Sequence, residues 1–386
     1  MRVLLPLGLG LVLLSCTGGQ QSTSVNRPDT WALLPFEKAD SVNPVLIPDA
    51  SLEFTCPVRG QRVKWAEKDV FNPATVVRSD TLFLLFRAED KVGRFAGTSR
   101  IGLAWSTNGL HFTSLPEPVL YPQEDAFKKW EWEGGCEDPR VVQDEKGTYY
   151  MTYTAYDGDK ARLLVASSPN LRNWTKHGPA FSRAYGGRYE NFWSKSGAIV
   201  SRYKQENIVA TKINGKYWMY WGDQNIWAAT SDDLVHWTPV VDTTQKLLEM
   251  EGRGIAQQAP ELKVVFAPRR GFFDSDLVEP GPPALLTAKG IVLIYNSKNH
   301  PQLGDSTLPA GTYAAGQVLM DPHNPMRVLD RLPQDFIHPD KPYEITGQVA
   351  HVCFVEGLAR YRNRWYLYYG TADSKIAVAV KNTPNP

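Results

Sequence analysis

STNGLHF (Ser106–Phe112), SPNLRNW (Ser168–Trp174) and SDDLVHW (Ser231–Trp237) are three copies of one short element, Ser-x-(Asn/Asp)-(Gly/Leu)-x-x-(Phe/Trp). Their first residues lie 62 and 63 positions apart. Each copy closes a stretch of the same order: a small or polar pair, an apolar strand, a turn with Gly or Asp, a Tyr/Trp-rich strand, and a strand of small and apolar residues. A steady interval with no helical periodicity inside it marks a repeat architecture. About four short alternating strands per interval suit a propeller blade. A sandwich also supplies many strands, but it does not explain why the Ser…Trp element returns.

Five repeats can be placed. They contain Phe71–Ala74 with Leu82–Arg87, Cys136–Arg140 with Tyr149–Thr154, Ser194–Gly197 with Lys216–Trp221, Pro280–Pro283 with Ile291–Tyr295, and Phe354–Gly357 with Trp365–Gly370. Loops around 239–276 and 300–342 stretch the fourth. The expected fold is all-β, a five-bladed β-propeller over residues 31–386.

Composition narrows the function. The 386 residues carry 42 Lys+Arg against 41 Asp+Glu, a formal net charge of +1, without the basic excess of a nucleic-acid binder. Charged residues at 22% and hydrophobic ones at 42% exclude a chain disordered throughout. The 12 Trp and 17 Tyr point to sugar recognition, because apolar sugar faces stack on rings, although most single rings serve cores.

At the amino terminus, Arg2 precedes an apolar run from Val3 to Leu14, too short to span a bilayer. Leu13-Leu14-Ser15-Cys16 resembles a bacterial lipobox, so residues 1–16 read as a lipoprotein signal peptide ending at the lipidated Cys16, and 17–30 as a polar tether. The expectation is an exported bacterial lipoprotein on the periplasmic or cell-surface face of the outer membrane, touching the membrane through its anchor only. Cys56, Cys136 and Cys353 are an odd set, and no CxxC or HxH pattern exists. No disulfide is singled out, and neither metal nor cofactor is indicated.

In a propeller the first strand of each blade lines the axial channel, and residues at its entry converge. Asn72, Glu137, Asp138, Arg140, Lys195, Glu279 and Glu356 occupy that place in the five repeats. Convergent polar groups with aromatic walls are the usual form of a ligand site.

Several of these stretches together resemble glycoside hydrolase family 130, the β-mannoside phosphorylases and β-1,2-mannosidases. They are Phe71–Ala74, Phe86–Asp90, Ser99–Ala104, Gly135–Arg140 and Tyr369–Asp373, and the likeness spans about Asp69 to Val380. The resemblance implies a five-bladed propeller and assigns Asp138 as general acid, acting through the 3-hydroxyl of the bound mannose. Such an acid must keep its proton near neutrality; Glu137 favours that and Arg140 opposes it. Phosphorylases of the family carry His-Arg and Tyr-His-Gly where this chain has Trp221-Gly222 and Tyr295-Asn296-Ser297. Two cation positions are thus lost, while Glu279 and Glu356 appear. A carboxylate repels phosphate but can deprotonate water, as an inverting hydrolase requires.

Glu279 and Glu356 are the candidate bases, with Glu190 third. Arg87, Arg100, Arg140 and Lys195 are expected to fix sugar hydroxyls or orient carboxylates. Asn72, Asp90, Glu137, Asn191, Trp193, Tyr295, Asn296 and Asp373 complete the expected substrate-binding set. The function read here is an inverting hydrolase releasing mannose from β-mannosides, most simply β-1,2-linked oligosaccharides. The alternatives are a phosphorylase using inorganic phosphate, a furanoside- or arabinan-cleaving propeller, and a lipid-anchored, non-catalytic glycan-binding propeller.

Overall fold

The computed structural model describes residues 31–242 and 261–382. The signal peptide, Cys16 and the whole tether lie outside the described residues. The regular secondary structure of the described residues is almost wholly β-strand, with two single-turn α-helices, Lys128–Glu131 and Pro342–Ile345, and a short 3-10 segment, Ala184–Gly187. The all-β class is therefore as expected.

Among the described residues the strands form five antiparallel meanders. The first runs through Asp69–Arg78, Thr81–Glu89, Ser99–Ser106 and Thr113–Ser114. The second runs through Gly135–Gln143, Tyr149–Tyr156, Ala161–Ser168 and Thr175–Pro179. The third joins Ala198–Ile199, Lys216–Trp221, Ile226–Ser231 and Trp237–Pro239. In the fourth, Leu277–Pro280 and Leu285–Thr287 both pair with Gly290–Lys298, followed by Tyr313–Met320 and Val328–Arg331. The fifth comprises Cys353–Tyr361, Arg364–Thr371 and Lys375–Asn382, and its outer strand comes from the other end of the chain: Glu37 and Lys38 pair with Val380 and Ala379. A separate hairpin, Asp49–Cys56 with Gln61–Ala66, precedes the first meander.

The repeated Ser…Trp element is the turn that leaves the third strand of the first three meanders. Ser106 Oγ accepts the backbone N–H groups of Asn108 (3.1 Å) and Gly109 (2.8 Å), and Asn108 Oδ1 accepts those of Leu110 (2.9 Å) and His111 (3.0 Å). Ser168 with Asn170, and Ser231 with Asp233, repeat the pattern. Short oxygen-bearing side chains are needed because they replace backbone acceptors within the turn. The fourth residue takes a left-handed φ, +74° at Gly109 and +67° at Leu171 and Leu234. Glycine adopts it freely, whereas the two leucines are held there by burial in the core.

Five apolar cores lie between successive meanders, the last of them between the fifth and the first. Met151 and Tyr153 meet Leu85 and Ile101; Leu163 and Val165 meet Met219 and Trp221; Tyr220 and Ile226 meet Leu293 and Val318. Ile294 meets Val355 and Leu367, and Leu84 and Phe86 meet Tyr368 and Val378. Polar links follow the same circuit. They run Asn72 to Asp138, Thr152 to Gly197, Ser196 to Glu279, Asn296 to Val355, and Thr75 to Leu358.

In three meanders a buried clasp joins the segment before the first strand to the second and fourth strands. Glu131 Oε1 accepts from Tyr153 Oη (2.8 Å) and its Oε2 from Lys176 Nζ (2.6 Å). Glu344 is held in the same way by Tyr369 (2.8 Å) and Lys38 (2.7 Å), and Asp274 by Tyr295 (2.7 Å) and Arg331. The first meander has Phe86 where these have Tyr, and its ring stacks on Trp65 instead. Tyr295 is thus a clasp residue and not a substrate contact, which corrects the expectation above. Cys56, Cys136 and Cys353 are buried free thiols.

Candidate active site

Three first strands carry a bulge at the same height. The ladder slips between Phe71 and Pro73, between Glu137 and Arg140, and between Val355 and Gly357. The residues released are Asn72, Asp138-Pro139 and Glu356. A bulge re-aims a side chain out of the pleat, and a proline without an N–H is at home in one. Asn72 and Asp138 both take φ +47°, Ser196 takes +57° and Asp373 +50°. Left-handed backbone at non-glycine residues is strained and clusters where function demands it, and Asn and Asp tolerate it best.

Of these residues Asn72, Asp138 and Asp373 face an open pocket of about 490 Å³. Asn72, Arg87, Asp138, Lys195, Glu279 and Asp373 form its polar side; Phe71, Phe354, Val349, Val352 and the Tyr313 ring form the rest. A second crevice of about 280 Å³, lined chiefly by aliphatic residues such as Val76, Val142 and Leu358, lies further along the same first strands and has no comparable charge cluster.

Asp138 Oδ1 accepts from Asn72 Nδ2 (2.9 Å) and Arg87 Nη1 (3.3 Å), while Lys195 Nζ stands 4.0 Å from Oδ2. Burial favours the neutral acid, but Arg87, Lys195 and the Asn72 amide outweigh it and hold the Asp138 carboxyl below the usual range. Of the opposing influences the sequence offered at Asp138, the cations prevail. The neighbours behave differently. Burial pushes Glu137 up to about 7 against the pull of Arg87, with Asp138 adding to the rise. Burial likewise lifts Asp373 and Glu279 to about 7. Ser196 Oγ donates to Glu279 Oε1, fixing that carboxylate in the wall.

The cations face carboxylates. Arg87 Nη2 reaches Glu89 (2.7 Å) and Glu137 (3.0 Å), and the guanidinium lies 4.6 Å from the centre of the Phe71 ring. Burial would discharge Lys195, yet Glu279, Asp138, Asp223 and Glu137 together raise its pKa.

Other expected residues stand behind the pocket or away from it. Arg140 donates to the carbonyls of Gly281 (2.7 Å) and Pro280 (2.6 Å), tying the second meander to the fourth. Glu356 is fully buried 3.5 Å from Arg140, and burial pushes its carboxyl well above the usual range. Asn296 exchanges two hydrogen bonds with the Val355 backbone (2.7 and 2.9 Å), so it positions the bulge that releases Glu356 and does not wall the pocket. Arg100 and Asp90 neutralise each other at 2.7 Å with neither exposed, so neither is a sugar contact in this geometry. Asn191 is exposed and accepts from Arg162 (3.2 Å), and Trp193 donates to Asp223 (2.9 Å). Glu190 sits in the loop preceding them, outside the pocket wall.

Tyr313 and Asp223 are functional candidates that the sequence reading passed over. Tyr313 lies in the stretched fourth repeat, where no repeated spacing marks it. Asp223 directly follows Trp221-Gly222, so the signal was one residue away. Among the described residues no group of three or more His, Cys, Asp or Glu is placed to hold a metal ion.

The model of glycoside hydrolase family 130, described as beta-1,4-mannooligosaccharide phosphorylase, matches residues 52–384. A 1,2-beta-oligomannan phosphorylase from Thermoanaerobacter sp. (strain X514) is 28% identical over 349 residues, 88% of this chain and 95% of the relative. A glycosyl hydrolase structure from Bacteroides ovatus is 46% identical with a TM-score of 0.85, covering 92% of this chain and 96% of that one. A further structure is 45% identical with a TM-score of 0.86 over 93% of this chain and 97% of its own. It is described by the statement that this family of mannoside phosphorylases contains glycoside hydrolases that target beta-1,2 mannosidic linkages in Candida mannan.

Proposed function

Because the chain belongs to glycoside hydrolase family 130, and is thus an enzyme acting on mannosides, we propose that it hydrolyses β-mannosides with inversion, β-1,2-linked oligosaccharides being its substrates. One observation carries this reading: every pocket cation already faces carboxylates. Arg87 is matched by Glu137, Asp138, Glu89 and Asp373, and Lys195 by Glu279, Asp138, Asp223 and Glu137. A phosphate dianion entering here would meet a surplus of acids, whereas a neutral sugar and a water would not. The likeness to a glycosyl hydrolase structure, and to the structure described with hydrolases of β-1,2-mannosidic linkages, supports the same choice. The phosphorylase reading draws its support from the Thermoanaerobacter relative.

In the proposed mechanism, Asp138 hands a proton toward the glycosidic oxygen. Glu279, lining the pocket and oriented by Ser196, takes a proton from the attacking water. Acid and base on different meanders leave room for that water, the arrangement of inverting enzymes, whose carboxyl groups stand about 6.5–9.5 Å apart. Glu356 is fully buried outside the pocket wall, with its carboxyl pushed well above the usual range, so Glu279 is the base of choice.

The five meanders, linked in a closed circuit, are read as the blades of a five-bladed propeller. Residues 1–16 are proposed to be a lipoprotein signal that leaves Cys16 lipidated, with residues 17–30 as tether and the enzyme on the periplasmic or outer face of the outer membrane. Cys16→Ala is expected to shift the protein from the membrane fraction to a soluble or unprocessed pool; retention at the membrane in high salt would reject the anchor.

The decisive experiment follows β-1,2-mannobiose by NMR with and without inorganic phosphate. Free mannose, first as the α-anomer and independent of phosphate, is expected. Mannose 1-phosphate, or β-mannose as first product, overturns the assignment, and binding without turnover points to a glycan-binding protein.

A further inference from the structure

We propose that Phe95 and Tyr156 form a stacking platform at the mouth of the pocket for the leaving-group sugar of a β-mannoside chain, a subsite that rests on the functional reading above. The argument begins with the loop that carries Phe95. Asp90 Oδ1 accepts the backbone N–H groups of Val92 (3.2 Å), Gly93 (2.8 Å) and Thr98 (3.0 Å), and Asp90 Oδ2 is held by Arg100 Nη1 at 2.7 Å. A Cβ at Gly93 would strike the Gly97–Thr98 backbone, and one at Gly97 the Asp90 carbonyl. The loop is therefore tightly built around a buried ion pair. It nonetheless presents two large apolar side chains to solvent, Val92 at 48% and Phe95 at 44% exposure. Val92 and Phe95 share this loop with the exposed Lys91 and Arg94, and exposed apolar surface rimmed by charge is a mark of ligand-binding grooves.

The Phe95 ring packs on Gly158, where φ is +97° and a Cβ would meet the ring itself. It lies 6.0 Å from the Tyr156 ring at 55°. Tyr156 sits on the second strand of the second meander, opposite Gly135, two residues before Glu137. Its hydroxyl donates to the Gly158 carbonyl at 3.0 Å, and it is close enough to Glu137 and Lys195 for their charges to act on it. Tyr156 is thus on the side of the pocket that bears the proposed acid, and Phe95 packs against it. In an inverting mechanism the leaving sugar occupies the acid's side and the water the opposite one. A pyranose offers an apolar C–H face to a ring and hydroxyls around its edge, which is the chemistry an exposed Phe–Tyr pair beside charged groups accepts.

The test compares Phe95→Ala, Phe95→Tyr and Gly158→Ala with the parent enzyme, using β-1,2-mannotriose as substrate and free mannose as competitive inhibitor. Losing one stacking ring is expected to raise the KM for the triose about tenfold in Phe95→Ala, with kcat changed less. Phe95→Tyr should restore it, and Gly158→Ala, which displaces the ring, should raise it too. The mannose inhibition constant should stay unchanged in all three. An unchanged triose KM in Phe95→Ala, or an equal loss for triose and mannose, overturns the platform. Should the parent enzyme prove to release mannose 1-phosphate, or not to turn over at all, the functional reading fails separately. Calorimetric titration of the triose and of mannose into the same variants then decides the subsite, a triose-specific loss sustaining it and no loss rejecting it.

Discussion

Asp138 is asked to donate a proton from a place where Arg87 and Lys195 favour its anion. The neighbouring Glu137 resolves the conflict. Its carboxyl is pushed to about 7 by burial, so at neutrality the pair still holds a proton in about half of the molecules and titrates as a unit. Glu279, also near 7, must be ionised to act as base. The signs then run opposite ways: activity rises with pH as Glu279 loses its proton and falls as the Glu137–Asp138 pair loses its own. A narrow bell in kcat/KM centred near neutrality is expected, and a flat profile from pH 5 to 9 would contradict it. Asp138→Asn should lower kcat by about 10²–10⁴-fold with sugar binding kept, and retention of half the activity would remove Asp138 from its role. Asp138, Lys195 and Glu279 were legible in the sequence because each stands at the entry to a repeat. Asp90 and Arg100 were misread because charge and motif are visible in a sequence, but the partner that neutralises a buried charge is not.

At the scale of elements, the turn after the third strand of the first three meanders was the most legible feature, since its hydrogen bonds close within a few residues. The clasps were not, because each gathers an acid, a tyrosine and a cation up to some 300 residues apart, as Lys38 and Glu344 show. Their removal should be graded. Tyr153→Phe takes one donor from buried Glu131 and is expected to cost about 1–3 kcal/mol. Lys176→Met leaves that carboxylate without its cation and should cost more, about 3–5 kcal/mol, and double replacement with Glu131→Gln should recover part of it. Denaturant unfolding measures both. Equal, negligible losses would mean that the clasps are incidental to stability. The bulges that release Asn72, Asp138 and Glu356 were likewise invisible, for an extra residue in a strand leaves no mark unless its partner strand is known.

For the whole molecule, the repeat interval was enough to read an all-β chain of five meanders. It was not enough to find the strand that completes the fifth, because two residues, Glu37 and Lys38, carry no strand signal of their own. Their pairing places the two ends of the described chain side by side, with Lys381 Nζ bonded to the Leu34 carbonyl. A circular permutant that joins residues 382 and 31 by a short linker and opens the exposed turn at Asn214-Gly215 is therefore expected to fold and retain activity, as circular dichroism and mannobiose cleavage would register. Failure to fold would show that the native order of the ends matters beyond their adjacency. The same arrangement also governs timing. A chain made from its amino terminus onward cannot finish its last sheet until the final strand exists, so the earliest residues wait for the latest ones. Before Lys375–Asn382 is made, Glu37 and Lys38 have no strand to pair with, so this one sheet joins the most distant parts of the described chain and is the slowest kind of contact to form.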